Sequence, residues 1–354
     1  MAVPETTNPV TRIAEVPTAA RPEGVAVDEE RGRAYVACSD TSILTVVDLD
    51  SFTPVGELQV GEGPIDIVFD DVSGRVFTAD ARSSTVSAVD TRGSGRTTTM
   101  AVGSFPSGLG YDRERRRVYS GNSYGSTVSV VDADSLSVLA TVEAGAGAGA
   151  VASDSSRGRF YCANFIDGTL SVFDSDTNEA LDEIGLERGA CAVAVNSRTA
   201  ELYVVNSLAA TVFRVDLETG RVLGTLEAER APVGLSVSVD GRRVYVGNRG
   251  SGTVTVIGAE DHLRWGRIPV GEAPGGVIPL GAARLLVANT GSNSLTIVEE
   301  RLDGPPQAPG PEVEHPLVGT RLPPFALPDV RTGLPRTTAE WAERKYIVNF
   351  FASW

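Results

Sequence analysis

Pro106-Ser107-Gly108-Leu109-Gly110-Tyr111-Asp112 opens a stretch that continues, after a turn, through Val118-Tyr119-Ser120-Gly121-Asn122 and then Thr127-Val128-Ser129-Val130-Val131-Asp132. The stretch recurs along the chain at an interval of 42 residues. Its first residue returns as Pro22, Pro64, Ala148, Ala190, Pro232 and Pro274. The aromatic position reads Tyr35, Phe77, Tyr119, Tyr161, Tyr203 and Tyr245, and Leu286 follows after a one-residue deletion. Three residues beyond each stand Cys38, Asp80, Asn122, Asn164, Asn206, Asn248 and Asn289. The third segment, read again in Thr253-Val254-Thr255-Val256-Ile257, alternates like a strand with one polar face. A fourth segment, clearest in Arg221-Val222-Leu223-Gly224-Thr225-Leu226, completes the unit.

Four short strands per unit at this period predict an all-β fold, a seven-bladed β-propeller with four-stranded blades. The tetrads Tyr35-Val36-Ala37-Cys38, Tyr203-Val204-Val205-Asn206 and Tyr245-Val246-Gly247-Asn248 resemble the YVTN repeat of the YncE-like family, and no blade carries the Trp-Asp pair of WD40 repeats. The seventh unit lacks a fourth strand, because Ser294-Leu295-Thr296-Ile297-Val298 runs straight into a Pro-rich segment. Thr11-Arg12-Ile13-Ala14-Glu15-Val16 is placed to supply it and close the ring, which removes the open seam between first and last blades. The expected organisation is a tail over 1–9, the propeller over 10–300, a semi-rigid Pro/Gly-rich linker over 301–314, and a separate segment over 315–354.

That last segment contains Val318-Gly319-Thr320-Arg321-Leu322-Pro323-Pro324-Phe325-Ala326-Leu327-Pro328-Asp329, then Gly333 and Trp341, then Lys345-Tyr346-Ile347-Val348-Asn349-Phe350-Phe351-Ala352-Ser353-Trp354. It resembles the opening of a redoxin domain of the thioredoxin-like superfamily (AhpC/TSA and TlpA-like proteins), in which G-x-x-x-P-x-F-x-L-x-D precedes a buried strand of the form V-x-N-F-W-A-x-W. The resemblance implies an incomplete thioredoxin-like α/β segment, with the nucleophile expected directly after the flanking Phe350, Phe351, Ala352, Ser353 and Trp354. Tyr346 to Phe351 is an apolar run suited to a strand buried on both faces. The helix that follows such a strand favours a thiolate at its N-terminus. A segment this short buries too little surface to fold alone, so the chain as written is expected to be inactive as a thiol-disulfide oxidoreductase or peroxidase. Two readings stand: a vestigial tail, or a product whose coding sequence continues past Trp354 through a selenocysteine codon read as stop, or through a cysteine codon lost to a sequence error.

A formal net charge of −15 argues against nucleic-acid binding. No stretch approaches the length of a membrane span, and Met1-Ala2-Val3-Pro4-Glu5-Thr6 lacks the basic and apolar regions of a signal peptide. The expected location is therefore cytoplasmic, or extracytoplasmic if the start codon is misplaced. Cys38, Cys162 and Cys191 are far apart and read as reduced core or loop thiols. With His262 and His315 the only histidines, neither a zinc site nor a Ser-His-Asp triad is expected, and no cofactor or metal is assigned.

Gly145-Ala146-Gly147-Ala148-Gly149 lacks the Lys-Ser/Thr of a phosphate loop and reads as a connection between blades. Asp48, Asp90, Asp132, Asp174 and Asp216 read as turn residues. Arg113, Arg115, Arg116 and Arg117 read as a solvated charged turn, with partner binding as the alternative. The tyrosine series reads as packing between blades, and Trp265 as a rim contact rather than a ligand mouth.

Three functions compete. The first is a propeller scaffold fused to a thiol- or selenol-dependent oxidoreductase acting on disulfides or peroxides. The second is a non-catalytic propeller that binds a protein or small molecule at its loops or channel. The third, an enzyme within the ring using haem or quinone, is disfavoured because histidine is too scarce for haem ligation and no acid-base constellation recurs around the pore.

Overall fold

Within each unit the strands are short, alternate in polarity and are joined by tight turns, so each unit closes on itself as an antiparallel sheet. The computed structural model describes residues 10–301, Gly304, and the backbone of Ala326–Pro328 and Pro335–Thr337. Blade three shows the pattern: Pro106–Asp112 innermost, then Arg117–Asn122, Thr127–Asp132 and, outermost, Ser137–Glu143. Seven such four-stranded sheets form the propeller.

The seventh sheet is completed from the other end of the chain. Val10–Pro17 pairs antiparallel with Ser294–Glu300, with a bulge between Arg12 and Ala14. Val16 is buried there, and Ser294 donates a hydroxyl hydrogen bond of 2.9 Å to Glu15.

The apolar residues divide into seven buried clusters, and each cluster joins two neighbouring blades. Alternation along the second strand produces this division. In blade one, Tyr35 and Ala37 pack toward blade two, while Ala34, Val36 and Cys38 pack toward blade seven. Aromatic stacking adds to two junctions: between blades one and two the Tyr35 and Phe69 ring centroids lie 6.2 Å apart, and between blades three and four those of Tyr119 and Phe160 lie 4.1 Å apart, with Phe173 4.7 Å beyond Phe160. The tyrosine series is inter-blade packing, as its spacing predicts.

Residues 1–306 and 307–354 form two compact units. In the second, Ala326–Pro328 pairs antiparallel with Pro335–Thr337. The expected tail over 1–9, most of the expected linker, the strand Tyr346 to Phe351 and the flanking Phe350, Phe351, Ala352, Ser353 and Trp354 lie outside the described residues. The propeller is therefore established, and a thioredoxin-like segment is not.

Candidate functional site

Antiparallel order puts the turns between second and third strands on the same face as the blade-to-blade connections; we term this the upper face. Asparagine builds its framework. Asn122 Nδ2 donates to Thr127 and Ser129, both at 3.0 Å, and Asn164 binds Thr169 and Ser171 at 2.9 and 2.8 Å. Asn248 and Asn289 repeat the arrangement with Thr253, Thr255, Ser294 and Thr296. Each clasp ties the end of the second strand to the third. Blade five departs from the pattern because Phe213 stands where the other blades carry a hydroxyl, and Asn206 instead donates to the carbonyls of Glu187 and Arg188.

Two blades carry other residues at this position. Cys38 lies 3.5 Å from the Thr45 hydroxyl, and Asp80 accepts from Thr78, Thr85 and Ser87. Burial of Asp80 outweighs these donors and pushes its carboxyl up to about 6.

In blades three, six and seven the residue after the clasp position makes a rim of hydrogen bonds at the upper ends of the innermost strands. Arg249 of blade six donates to Glu23 of blade one, which also accepts from Arg21 Nε at 3.0 Å. Thr290 of blade seven donates to the Pro22 carbonyl at 2.8 Å. Ser123 is hydrogen-bonded to Ser107. Below this rim lies a cavity of about 420 Å³ walled by the innermost strands. In its wall Asp66 of blade two accepts the Leu109 backbone N–H of blade three at 2.8 Å, and burial raises its carboxyl above the usual range. Cys191 also lines the cavity, and burial pushes its thiol up to about 11. Cys162, packed between blades, is pushed up to about 12. Cys38 is raised as well.

One residue further on is the outer rim, which reads Asp40, Arg82, Tyr124, Ile166, Leu208, Gly250 and Gly291 around the ring. Asp40 and Arg82 pair at 2.7 Å. Tyr124, Ile166 and Leu208 are exposed apolar residues in consecutive blades. Phe105 stacks on Tyr124 with ring centroids 4.3 Å apart, and Phe165 is exposed beside Ile166. The sequence reading did not single out these five residues. Its signal was available, since bulky apolar side chains are out of place in turns that otherwise carry Asp, Arg, Ser and Gly.

On the opposite face the arginine run is paired across the blade junctions rather than merely solvated, with Arg113 still largely exposed. Arg113 pairs with Asp71 and Arg116 with Asp70, both in blade two, while Arg115 pairs with Asp176 in blade four. Arg117 donates to the Ser175 carbonyl of blade four. The run staples blade three to both neighbours, a consequence of which charges face it across the blade junctions. The aspartate series does act in turns: Asp132 accepts the N–H groups of Asp134 and Ser135 at 3.1 and 2.6 Å. Gly145 to Gly149 spans a blade connection and enters the next innermost strand, where Gly145 lies against Asn164. Trp265 is a side contact, its indole N–H donating to Asp261 at 2.9 Å. No group of three or more potential metal ligands occurs among the described residues. Among them, too, no helix is long and apolar enough to cross a membrane.

The model of the YNCE-like beta-propeller family matches residues 97–284, more than half of the chain. The chain belongs to that family. Among solved structures, this YNCE-like beta-propeller is similar to Kuenenia stuttgartiensis Hydrazine Synthase, with a TM-score of 0.73 and 15% identity over 80% of this chain and 97% of the other. At that identity the likeness concerns the fold alone. None of the curated proteins matches the chain in sequence.

Proposed function

We propose that the ring is a non-catalytic binding scaffold, whose upper face receives a protein. The observation that carries this reading is the unequal decoration of that face: an apolar arc across blades three to five, with paired charges or glycine at the same turn position elsewhere. The buried, high-pKa thiols of the ring are poor nucleophiles at neutral pH, which supports a non-catalytic role. The test combines insulin-reduction and peroxide-consumption assays on the 354-residue chain with thiol titration of the native protein. The scaffold reading expects no turnover and slow labelling limited to Cys191. Turnover lost on replacing any of the three cysteines would overturn it.

A second reading rests on the motif from Gly319 to Trp354. It makes the ring a scaffold for a thioredoxin-like thiol- or selenol-disulfide oxidoreductase or peroxidase, whose nucleophile would follow Trp354 and whose substrate would be a disulfide or peroxide. The antiparallel pair Ala326–Pro328 and Pro335–Thr337 falls inside the motif. Sequencing the natural locus tests this reading. An in-frame cysteine or selenocysteine codon followed by thioredoxin-like sequence supports it, and a stop with unrelated sequence beyond removes it.

A further inference from the structure

The exposed apolar residues of the upper face lie along three consecutive blades. A Cβ added at Gly147 would meet Ile166 Cγ1 at 3.0 Å and Phe165 Cβ at 3.2 Å, and one at Gly189 would meet Leu208 Cβ at 3.0 Å. The Gly189 N–H in turn donates to the Phe165 carbonyl at 2.9 Å. Phe165 and Ile166 therefore crowd the connection from blade three to blade four and Leu208 the connection from blade four to blade five, and the Phe105–Tyr124 stack adds blade three to the arc. These side chains are far from covered: Tyr124 is 75% exposed, Leu208 68% and Ile166 52%. Their own fold gains little from them, since exposed apolar surface in a turn contributes no burial.

The unpaired charge around it is mostly acidic. Glu143, Asp167, Glu187 and Glu227 stand exposed at the same end of blades three to five and make no ion pair among the described residues. Arg188 and Arg230 stand among them, with Arg230 engaged with the Gly250 carbonyl at 2.8 Å, while Arg264 and Arg267 of blade six are spent on Glu229 at 2.6 and 2.9 Å. An acidic margin around an apolar arc selects its partner by both terms, because apolar anchors fill the centre while opposite charge steers the approach.

We infer that the upper-face arc of Phe105, Tyr124, Phe165, Ile166 and Leu208 is the docking surface for a protein segment that presents bulky apolar side chains flanked by lysine or arginine. This rests on the scaffold reading above and names the partner's chemistry. The Asp40–Arg82 pair and the glycines at the remaining rim positions confine the contact to blades three to five.

The experiment is a selection of random twelve-residue peptides against the full chain, followed by affinity measurement on the full chain and on a Tyr124→Ser/Ile166→Ser/Leu208→Ser variant. The substituted side chains are exposed, so the variant should keep the parent's thermal unfolding, which is checked first. The expected result is peptides rich in Phe, Trp or Leu with flanking Lys or Arg, bound tenfold or more weakly by the variant. Their affinity should also fall as salt is raised. Peptides bound equally by parent and variant would overturn the arc while leaving the scaffold reading intact. Acidic peptides lost on substitution would overturn the partner's chemistry alone. A failure to select any binder would overturn both readings. Sedimentation provides the remaining arm: a parent dimer that the triple substitution converts to monomer would assign the arc to a second copy of this chain and overturn the proposal.

Discussion

Asp80 occupies the position that asparagine holds in blades three to seven, and its hydroxyl neighbours Thr85 and Ser87 match the Thr127 and Ser129 around Asn122. Its carboxyl, raised to about 6 by burial, binds a proton more tightly in the folded chain than in the unfolded one, where the value is about 3.9. The favourable contribution of protonation is complete below the unfolded value and is lost as pH rises through about 6. Asp80→Asn should therefore stabilise the protein by about 2 kcal/mol at pH 8 and by little at pH 4, read from urea unfolding at the two pH values. A second residue-scale prediction concerns Gly168 and Ala210, which hold the same turn position with φ of 69° and 56°. A Cβ on Gly168 would fall 2.5 Å from the Arg188 nitrogen, so Gly168→Ala should cost about 2–3 kcal/mol. Ala210→Gly relieves the left-handed backbone and should raise stability by up to about 1 kcal/mol, measured by the shift in unfolding midpoint.

Among the elements, the closing strand carries the greatest consequence. Deleting residues 1–17 would uncover the edge of Ser294–Glu300 and the cluster around Val16, Leu295 and Ile297. The loss should be on the order of 5 kcal/mol and should bring concentration-dependent association through the bare edge. Thermal unfolding and light scattering check this, and a synthetic peptide covering the deleted strand should restore the parent behaviour. This element was legible in the sequence because the gap in the seventh unit and the surplus strand before Pro22 are both local patterns. The departure of Asn206 was not, since its cause, Phe213, lies on a neighbouring strand and replaces a hydroxyl that the clasp requires.

For the ring as a whole, cohesion depends on charges that cross from blade to blade. Asp70 is fully buried and held well below the usual carboxylate range by hydrogen bonds from Arg116, Ser73 and Tyr111, which outweigh its burial. Arg116→Ala leaves that carboxylate without its cation and should cost about 3 kcal/mol near neutral pH. A depressed folded value stabilises fully above the unfolded pKa, and that contribution is lost progressively as pH falls from there through the folded value. The deficit of the variant should accordingly shrink below about pH 4, as followed by chemical denaturation across the acid range. The 42-residue interval and the period-two alternation determined the strands, the seven blades and the closure, because strand pairing within a blade is local and the repeat declares it. Only the tertiary structure decided that Arg113, Arg115, Arg116 and Arg117 reach partners in the flanking blades and that Tyr124, Phe165, Ile166 and Leu208 stand exposed on one face. Both depend on side chains about one repeat or more apart in the chain meeting at a blade junction, and the closing of the ring, rather than any local pattern, sets which of them meet.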